Sequence, residues 1–441
     1  MINPKKFFEK ASLAGITSSC LQIGSSQSTS VSIYHGEINS YSIEGGPVMF
    51  ASGIYDGKYG SCYCDLTDNS SIDFVIKSII ETASISERKD CLDFFKGSKK
   101  YKKKYFLNKK LKEQPIEEKI AFIKDIDAKL SKIDPEISDV EGVDYYETED
   151  ISYFYNSYGL KLSSKTNECG IAASIVLKRG EDVKTASKAV YKACLDEIDK
   201  DKFINDIVTK GKAKLGATQC KAGKYPTLLD KDVFGTFISC LLRENSSIAV
   251  QKNTSFLAGM EGKVIGSNKL TIDEVPLKKG PCYSYYDAEG VAQYNKRIVN
   301  KGVLLTHFYN RETAKKANRE TTGNASTTSG RIGLSFRNPS VKPGRKSKEE
   351  IISNVKEGVY ITGIEGFSTG YESSSGNFSC QAEGFMIRNG KIAEPLNLIT
   401  LSGNILKIMQ DIKALSNDVG DKLSRSIPDA LIKKMSIGGQ N

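Results

Sequence analysis

Histidine, the side chain most often used to bind metals and to act as a base near neutral pH, is almost absent from this sequence. Only His35 and His307 occur among 441 residues, so no HExxH zinc motif can form. The GxxxxGK[ST] and GxGxxG phosphate-binding patterns are also absent. We interpret His35 as a surface residue of a hairpin turn and His307 as a structural residue at a strand end. Most histidine-based metal chemistry within this chain is therefore excluded.

One pattern typical of a nucleophile is present. Gly366-Phe367-Ser368-Thr369-Gly370 fits GxSxG, in which the serine must lie between a strand and a helix. The residues that follow, YESSSGNFS, indicate a loop and then a strand, and only His307 could complete a triad. We interpret Ser368 as part of a Gly/Ser-rich loop and predict no catalytic residue here.

Two acidic residues and two asparagines lie in segments that could approach a ligand. Asp287 and Glu289 are two apart in YYDAEG, so on a strand they would share a face and could do acid/base work or bind a metal. A turn with a solvated Asp287 is the alternative, which we favour. Asn324 in TTGNASTTSG and Asn404 in LSGN lie in loops whose backbone amides could reach a ligand, or which simply form turns.

The ten cysteines are scattered and form no CxxC pair, although Cys62 and Cys64 would share a strand face. We expect reduced, mostly buried thiols. The N-terminus lacks the apolar run of a secretory signal, and no segment approaches the ~18 apolar residues of a membrane span. These features predict a cytoplasmic protein without a membrane partner.

The net charge of +10 is concentrated in one window. Residues 96–112, KGSKKYKKKYFLNKKLK, contain nine lysines and no acid, whereas residues 134–150 contain eight acids and no base. A solvated linker is the interpretation that we favour for the lysine window. Contact with phosphates or an acidic partner is the alternative.

The arrangement of apolar residues predicts an α+β fold with several units. We assign residues 1–95 to an N-terminal α+β domain with an antiparallel sheet and helices, and 96–115 to the Lys-rich linker. Residues 116–222 form a middle α+β domain, in which 184–216 are predicted to be helical. Residues 223–441 carry many short strands and form a mostly β domain, barrel- or sandwich-like, with a late helix at 404–415.

Taken together, these segments resemble the TldD/PmbA family, once called modulator of DNA gyrase. The resemblance runs over nearly the whole chain. Its clearest parts are YYDAEGVAQYNKRIVNKGVLLTHFYN, TGNA, SFRNPSVKPG, GNFSCQAEGFMIRNGKIAEP, LSGN and LSNDVG, in that order. The hairpin SVSIYHGEINSYSIEGG and the segment ISYFYNSYGLKLSSKTNECGIAASIV add to it.

The TldD branch of this family carries HExxxH on a helix early in the C-terminal domain and a late cysteine, which together hold zinc. The corresponding segment here, residues 233–247, contains no histidine, and its Glu244 lies outside such a motif. No cysteine follows Cys380. The resemblance therefore implies the PmbA (TldE) branch, with no metal ligand, catalytic residue or cofactor in this chain, and with zinc in a TldD-like partner.

That branch is implied to pair with a TldD-like subunit in a cytoplasmic metalloprotease acting on unfolded or flexible peptides; self-association into a homodimer is the other possibility. Asp287, Glu289, Asn324 and Asn404 are carried over from the matching motifs as candidate chamber or substrate-contact residues. Two other functions remain open, a DNA- or gyrase-associated binding protein without peptidase activity and a hydrolase using Ser368. We expect no nucleic-acid partner.

Overall fold

The computed structural model describes residues 2–87, 91–328, 331–420 and 422–440. Its N-terminal part is built around one antiparallel sheet with the strand order β3-β2-β1-β4-β5-β6. The elements of this part are α1 (Pro4–Leu13), β1 (Ile16–Tyr34), β2 (Glu37–Tyr55), β3 (Lys58–Cys64), α2 (Ile72–Ile85), α3 (Lys109–Glu113), α4 (Ile116–Ile133), β4 (Ile137–Asn156), β5 (Lys161–Arg179), β6 (Asp182–Lys192) and α5 (Lys200–Lys212).

Two-residue turns set the register of the first strands. His35 and Gly36, with φ of 48° and 81°, join β1 to β2, as the sequence predicts. Asp56 and Gly57, with φ of 51° and 70°, join β2 to β3. Positive φ at both positions gives the turn whose twist matches that of antiparallel strands. The Gly36 N–H also donates to Asp127 Oδ2 at 2.8 Å, which fastens the hairpin to α4.

Helices cover only one face of this sheet. α1 and α2 bury the apolar side chains of β1 and β2, and α4 and α5 bury those of β4 and β5. α4 begins directly after Pro115, with Glu117 and Glu118 in its first turn, where carboxylates interact favourably with the helix dipole. The opposite sheet face carries no helix of its own among the described residues.

The predicted helix over residues 184–216 is wrong in its first half. Residues 182–192 form β6, which pairs with β5 from Arg179↔Asp182 to Cys169↔Lys192. Only Lys200–Lys212 is helical. In β6, Ala186 is buried while Ser187 and Ala189 are exposed, because successive side chains point to opposite faces. Pairing with β5 thus overrides the helix propensity of alanine and lysine.

The C-terminal part is mostly β and closes on itself. β16, β15, β14, β7 and β18 are neighbours in that order, and β16 also pairs with β18, so these five strands form a barrel. The elements are β7 (Gly223–Leu229), α6 (Lys231–Glu244), α7 (Ser247–Gln251), β8 (Ile272–Glu274), β9 (Lys296–Asn300), β10 (Val303–Leu304), α8 (Arg311–Lys316), β11 (Ala325–Thr328), β12 (Arg331–Leu334), β13 (Pro339–Val341), α9 (Lys348–Ile352), β14 (Glu357–Glu365), β15 (Asn377–Arg388), β16 (Lys391–Asn404), α10 (Ile405–Gln410), β17 (Ile412–Leu415) and β18 (Ala430–Gly438).

The architecture confirms the α+β class and the barrel-like C-terminal part. The predicted helix at 404–415 is shorter than expected, since it ends at Gln410 and β17 follows. Strands from before and after residues 96–115 share one sheet, so the division into two N-terminal domains stays a prediction.

Within the described chain, no helix is both long and apolar enough to span a bilayer.

The Lys-rich segment lies along the junction between the N-terminal sheet and the C-terminal part. Phe106 pairs with Thr166 of β5, and the Tyr101 hydroxyl donates to the Gly290 carbonyl at 2.6 Å. The Tyr283 hydroxyl donates to the Lys102 carbonyl from the C-terminal side. All nine lysines of residues 96–112 are exposed. The segment therefore contacts both parts through its aromatic residues and backbone, and its charges face solvent.

Candidate functional site

A cleft of about 2130 Å³ lies between the helix-free face of the N-terminal sheet and the C-terminal part. Residues of β1, β4, β5 and β6 line one side, and the lining continues past the edge at β6 to α5, which packs on the other face of the sheet. Residues 281–288, 325–327 and 336–339 line the other side. A cleft of this size is ample for an extended chain, and it is the large concave surface at which a ligand is expected.

Short hydroxyl side chains dominate the central wall of the cleft. On β4 and β5 the facing pairs are Ser152↔Ser164, Asp150↔Thr166 and Thr148↔Glu168, and all six residues line the cavity. Burial, and then the neighbouring Asp150, raises the pKa of Glu168. The wall is therefore polar and offers hydrogen-bonding groups with few bulky side chains.

Tyr285 fastens the C-terminal wall to the sheet. Its side chain is 1% exposed, and its hydroxyl donates to the Ser163 carbonyl at 2.7 Å and accepts the Ser163 N–H at 3.1 Å. Phe154, Leu162 and Tyr283 pack with it in a separate apolar cluster. Because both backbone groups of Ser163 are satisfied by one phenol, this contact fixes the position of residues 283–287 beside β5.

Asp287 lines the cleft but is 4% exposed, so the favoured prediction of a solvated aspartate is wrong. Its Oδ1 accepts the N–H groups of Glu289 at 3.0 Å and Val291 at 2.9 Å, and its Oδ2 accepts the Ala325 N–H at 3.0 Å. The turn itself is present, because the Gly290 N–H donates to the Asp287 carbonyl. Burial, and then Glu289, raises the pKa of Asp287 to about 7. Asp287 therefore joins this turn to β11.

The other three candidate residues do not line the cleft. Glu289 Oε2 accepts the Arg311 N–H at 2.8 Å, and burial raises the pKa of Glu289. Asn324 is fully buried and donates to Glu274 Oε1 at 2.8 Å. Asn404 caps α10 by accepting the Lys407 N–H at 3.3 Å. Each has a structural role in these contacts, and substrate contact stays a prediction for all four.

Helix α6 is the segment that the resemblance aligns with a zinc-binding helix. Its Cys240 and Glu244 lie beside the buried Tyr371 hydroxyl. Burial raises the pKa of Cys240 to about 11 and also raises that of Glu244, which favours their neutral forms, whereas metal ligands must be deprotonated. In the described ranges, no three His, Cys, Asp or Glu side chains gather as a metal site.

Ser368 and His307, the two residues that could contribute to a serine nucleophile site, do not form one. Ser368 is exposed in a turn after β14, and the next element is β15, without the helix that an elbow requires. His307 is 3% exposed, and its Nδ1 lies 2.8 Å from Asn245 Oδ1. Burial lowers the pKa of His307, which favours the neutral imidazole. The interpretation of both as structural residues agrees with these positions.

Sequence reasoning missed the lysines that border the cleft at β6. Lys210 of α5 and Lys214 of the turn after α5 line the cavity, and Lys214 Nζ lies 2.9 Å from Glu383 Oε2 of β15. The sequence shows the spacing of the two lysines. It does not show their relation to β6, because the sequence pattern predicts a single helix over residues 184–216.

Comparison with known proteins places the chain in a family. Residues 109–215 match the PmbA/TldA metallopeptidase central domain, and residues 222–439 match the C-terminal domain of the same family. The metalloprotease MJ0996 of Methanocaldococcus jannaschii is 26% identical over 408 residues, covering 90% of this chain and 89% of the relative. A metalloprotease PmbA homolog of Buchnera aphidicola subsp. Acyrthosiphon pisum is 26% identical and covers 84% and 83%.

The fold is also similar to that of a solved structure. TM0727 of Thermotoga maritima, which carries the name of a modulator of DNA gyrase, superposes with a TM-score of 0.90 at 24% identity and covers 99% of both chains. At this identity the similarity concerns the fold. The two family models together account for most of the chain, and the chain belongs to the PmbA/TldD metallopeptidase family.

Proposed function

We propose that the chain is a PmbA/TldE-like subunit of a cytoplasmic metalloprotease complex that acts on unfolded or flexible peptides. The observation that carries this proposal is the cleft of about 2130 Å³ with a hydroxyl-rich sheet face as its wall. Such a wall can hydrogen-bond an extended peptide with little demand on its sequence. A folded domain would not enter a cleft of this size, so the substrate must be unfolded there.

The chemistry of α6 supports the proposal of a partner. Burial raises the pKa of both Cys240 and Glu244, which disfavours their ionised forms, and mononuclear zinc needs about three deprotonated protein ligands. We propose that a TldD-like subunit holds the zinc, which would polarise the scissile carbonyl. This chain would bind and orient the peptide and help to exclude water. Self-association would give a homodimer without that zinc site.

Peptidase assays with and without the partner test this proposal. The purified chain, a TldD-like chain and their mixture are each incubated with Zn²⁺ and an unstructured peptide. We expect cleavage by the mixture and none by this chain alone. Cleavage by the lone chain at the rate of the mixture would overturn the division of roles. Size-exclusion chromatography of the mixture measures whether a heterodimer or a homodimer forms.

A second candidate is a DNA- or gyrase-associated binding protein, and the observations that favour it are the exposed lysine segment and the older name of the family. Lys99, Lys100, Lys102 and Lys104 form no ion pair with the described residues. Measurement of DNA affinity against salt concentration tests it. Neutralising about six phosphates would give a log–log slope near −5, and an undetectable affinity would exclude this function.

A further inference from the structure

β6 is an edge strand that faces the cleft. It ends the order β3-β2-β1-β4-β5-β6, and residues 187–192 line the cavity. The Lys214 ammonium donates to the Thr185 carbonyl at 3.2 Å, and the Lys210 ammonium donates to the Ser187 carbonyl at 3.3 Å. These two carbonyls therefore point away from β5. Because backbone direction alternates along a strand, the N–H and C=O groups of Ala189 and Tyr191 point the same way.

The outward groups of Ala189 and Tyr191 are available to a ligand. They make no backbone hydrogen bond outside the sheet ladder within the described chain. Ser187, Ala189 and Tyr191 are all exposed, and the first two side chains are small enough to let another backbone approach. An open edge beside a cleft can accept an extended segment as an additional strand.

Two lysine ammonium groups lie next to this edge, and only one of them has an acidic partner in an ion pair among the described residues. Lys210 lies in the last turn of α5 and Lys214 lies in the turn that follows the helix, and Lys214 is paired with Glu383. Lys210 has no ion pair with the described residues, and its direct polar contact is the Ser187 carbonyl. Burial and the repulsion from Lys214 lower the pKa of Lys210. A carboxylate brought to this position would relieve the repulsion.

We propose that the edge of β6 from Ser187 to Tyr191 binds an extended segment of the substrate peptide, with Lys210 selecting an acidic residue in that segment. This inference rests on the proposed function and assigns the peptide to one strand of this chain. Protection of an open edge by charged side chains is the other use of such lysines in sheets. In that case Lys210 would repel an added strand, and peptide binding would not depend on β6.

Peptide binding by the intact chain tests the backbone contact. The probe is a fluorescent, unstructured peptide with a central glutamate, and its affinity is measured by anisotropy. Ala189→Pro removes one outward N–H and no ladder bond, so we expect about fivefold to tenfold weaker binding. Thr185→Pro is the matched control, because it changes the same outward position of β6 outside the cleft lining. It should change affinity less than twofold.

The acidic preference is tested with a peptide in which glutamine replaces the central glutamate. The wild-type chain should bind the glutamate peptide more tightly, and Lys210→Gln should abolish this preference. N-methylation of alternate amides in the peptide probes the same hydrogen bonds without changing the protein, and it should weaken binding even if Ala189→Pro unfolds. Equal affinities for the Ala189→Pro and Thr185→Pro chains, or no effect of N-methylation, would overturn the inference.

These results are separable from the proposed function. Cleavage by the complex together with unchanged binding in Ala189→Pro would leave the proposed function intact and overturn the β6 site. Binding that depends on Ala189 and Lys210, without cleavage in any mixture, would support the site and contradict the proposed role in proteolysis.

Discussion

Lys214 Nζ and Glu383 Oε2 lie 2.9 Å apart and join the turn after α5 to β15 of the barrel. The two side chains are 21% and 26% exposed, so the ion pair is neither on the open surface nor in the core. It stands at the border of the cleft, next to Lys210. The pair therefore links the N-terminal part to the barrel beside the cleft.

A double-mutant cycle should show weak, salt-dependent coupling between these two residues. Lys214→Met, Glu383→Gln and the double variant are compared by urea unfolding. We expect a coupling energy of about 0.2–1 kcal/mol at low salt, and less at high salt, because partly solvated ion pairs are screened. Lys210→Met with Glu383→Gln is the control cycle, since Lys210 forms no ion pair with Glu383. A larger coupling in the control cycle would contradict this assignment.

Substitution of Lys296 should lower the unfolding free energy far more than loss of the Lys214–Glu383 pair. Its ammonium lies 2.6 Å from Glu274 Oε2, and the two side chains are 5% and 0% exposed. Lys296→Met leaves the Glu274 carboxylate buried without its cation, so we expect a loss of about 3–5 kcal/mol in unfolding free energy. Denaturant unfolding followed by circular dichroism measures this loss.

The neighbouring Arg297 provides the matched control for Lys296. It pairs with Asp273 at 2.8 Å, but the two side chains are 48% and 33% exposed. Arg297→Met should leave the unfolding free energy nearly unchanged, because water solvates both groups. Similar losses of unfolding free energy in Lys296→Met and Arg297→Met would show that burial does not make the Lys296–Glu274 pair more important than the Arg297–Asp273 pair.

Asp287 should make stability fall as pH rises. Its pKa in the folded chain is raised from 3.8 to about 7, so the folded state holds a proton that the unfolded state has lost between these pH values. The stabilisation is complete below pH about 4 and is lost as pH rises towards 7.

The Asp287→Asn variant isolates this effect. Relative to that variant, the unfolding free energy of the wild type should decrease by up to about 1.4 kcal/mol per pH unit between pH 5 and 7. Urea unfolding of both proteins at several pH values measures the difference. A wild type that gains stability over the variant across this range would show that the three backbone N–H donors keep Asp287 ionised.

Tyr285→Phe should weaken the attachment of the C-terminal wall to the sheet. The change removes one hydroxyl and leaves the Ser163 N–H and carbonyl without their partner in a buried site. We expect a loss of about 1–3 kcal/mol in unfolding free energy, measured by thermal and urea unfolding. Tyr146→Phe is the control, since Tyr146 is 39% exposed. Equal stability of both variants would contradict a fastening role for Tyr285.

The sequence by itself determined short-range features such as turns and helix starts, and it excluded an HExxH metal site. Two-residue turns such as His35-Gly36 and the helix after Pro115 follow from local backbone preferences, which need no distant partner. The scarcity of histidine excluded an HExxH site without reference to any fold. The order of the family-like segments along the chain also sufficed to recognise the family resemblance.

Only the tertiary structure decided which residues meet. Residues 182–192 are a strand because they pair with β5, a contact that outweighs their local preference for a helix. Asp287 is buried because the N–H of Ala325, 38 positions along the chain, donates to it. The edge of β6 faces the same cleft as Lys210 and Lys214 for the same reason. Long-range strand pairing and burial set their positions, and neither is encoded in any short segment.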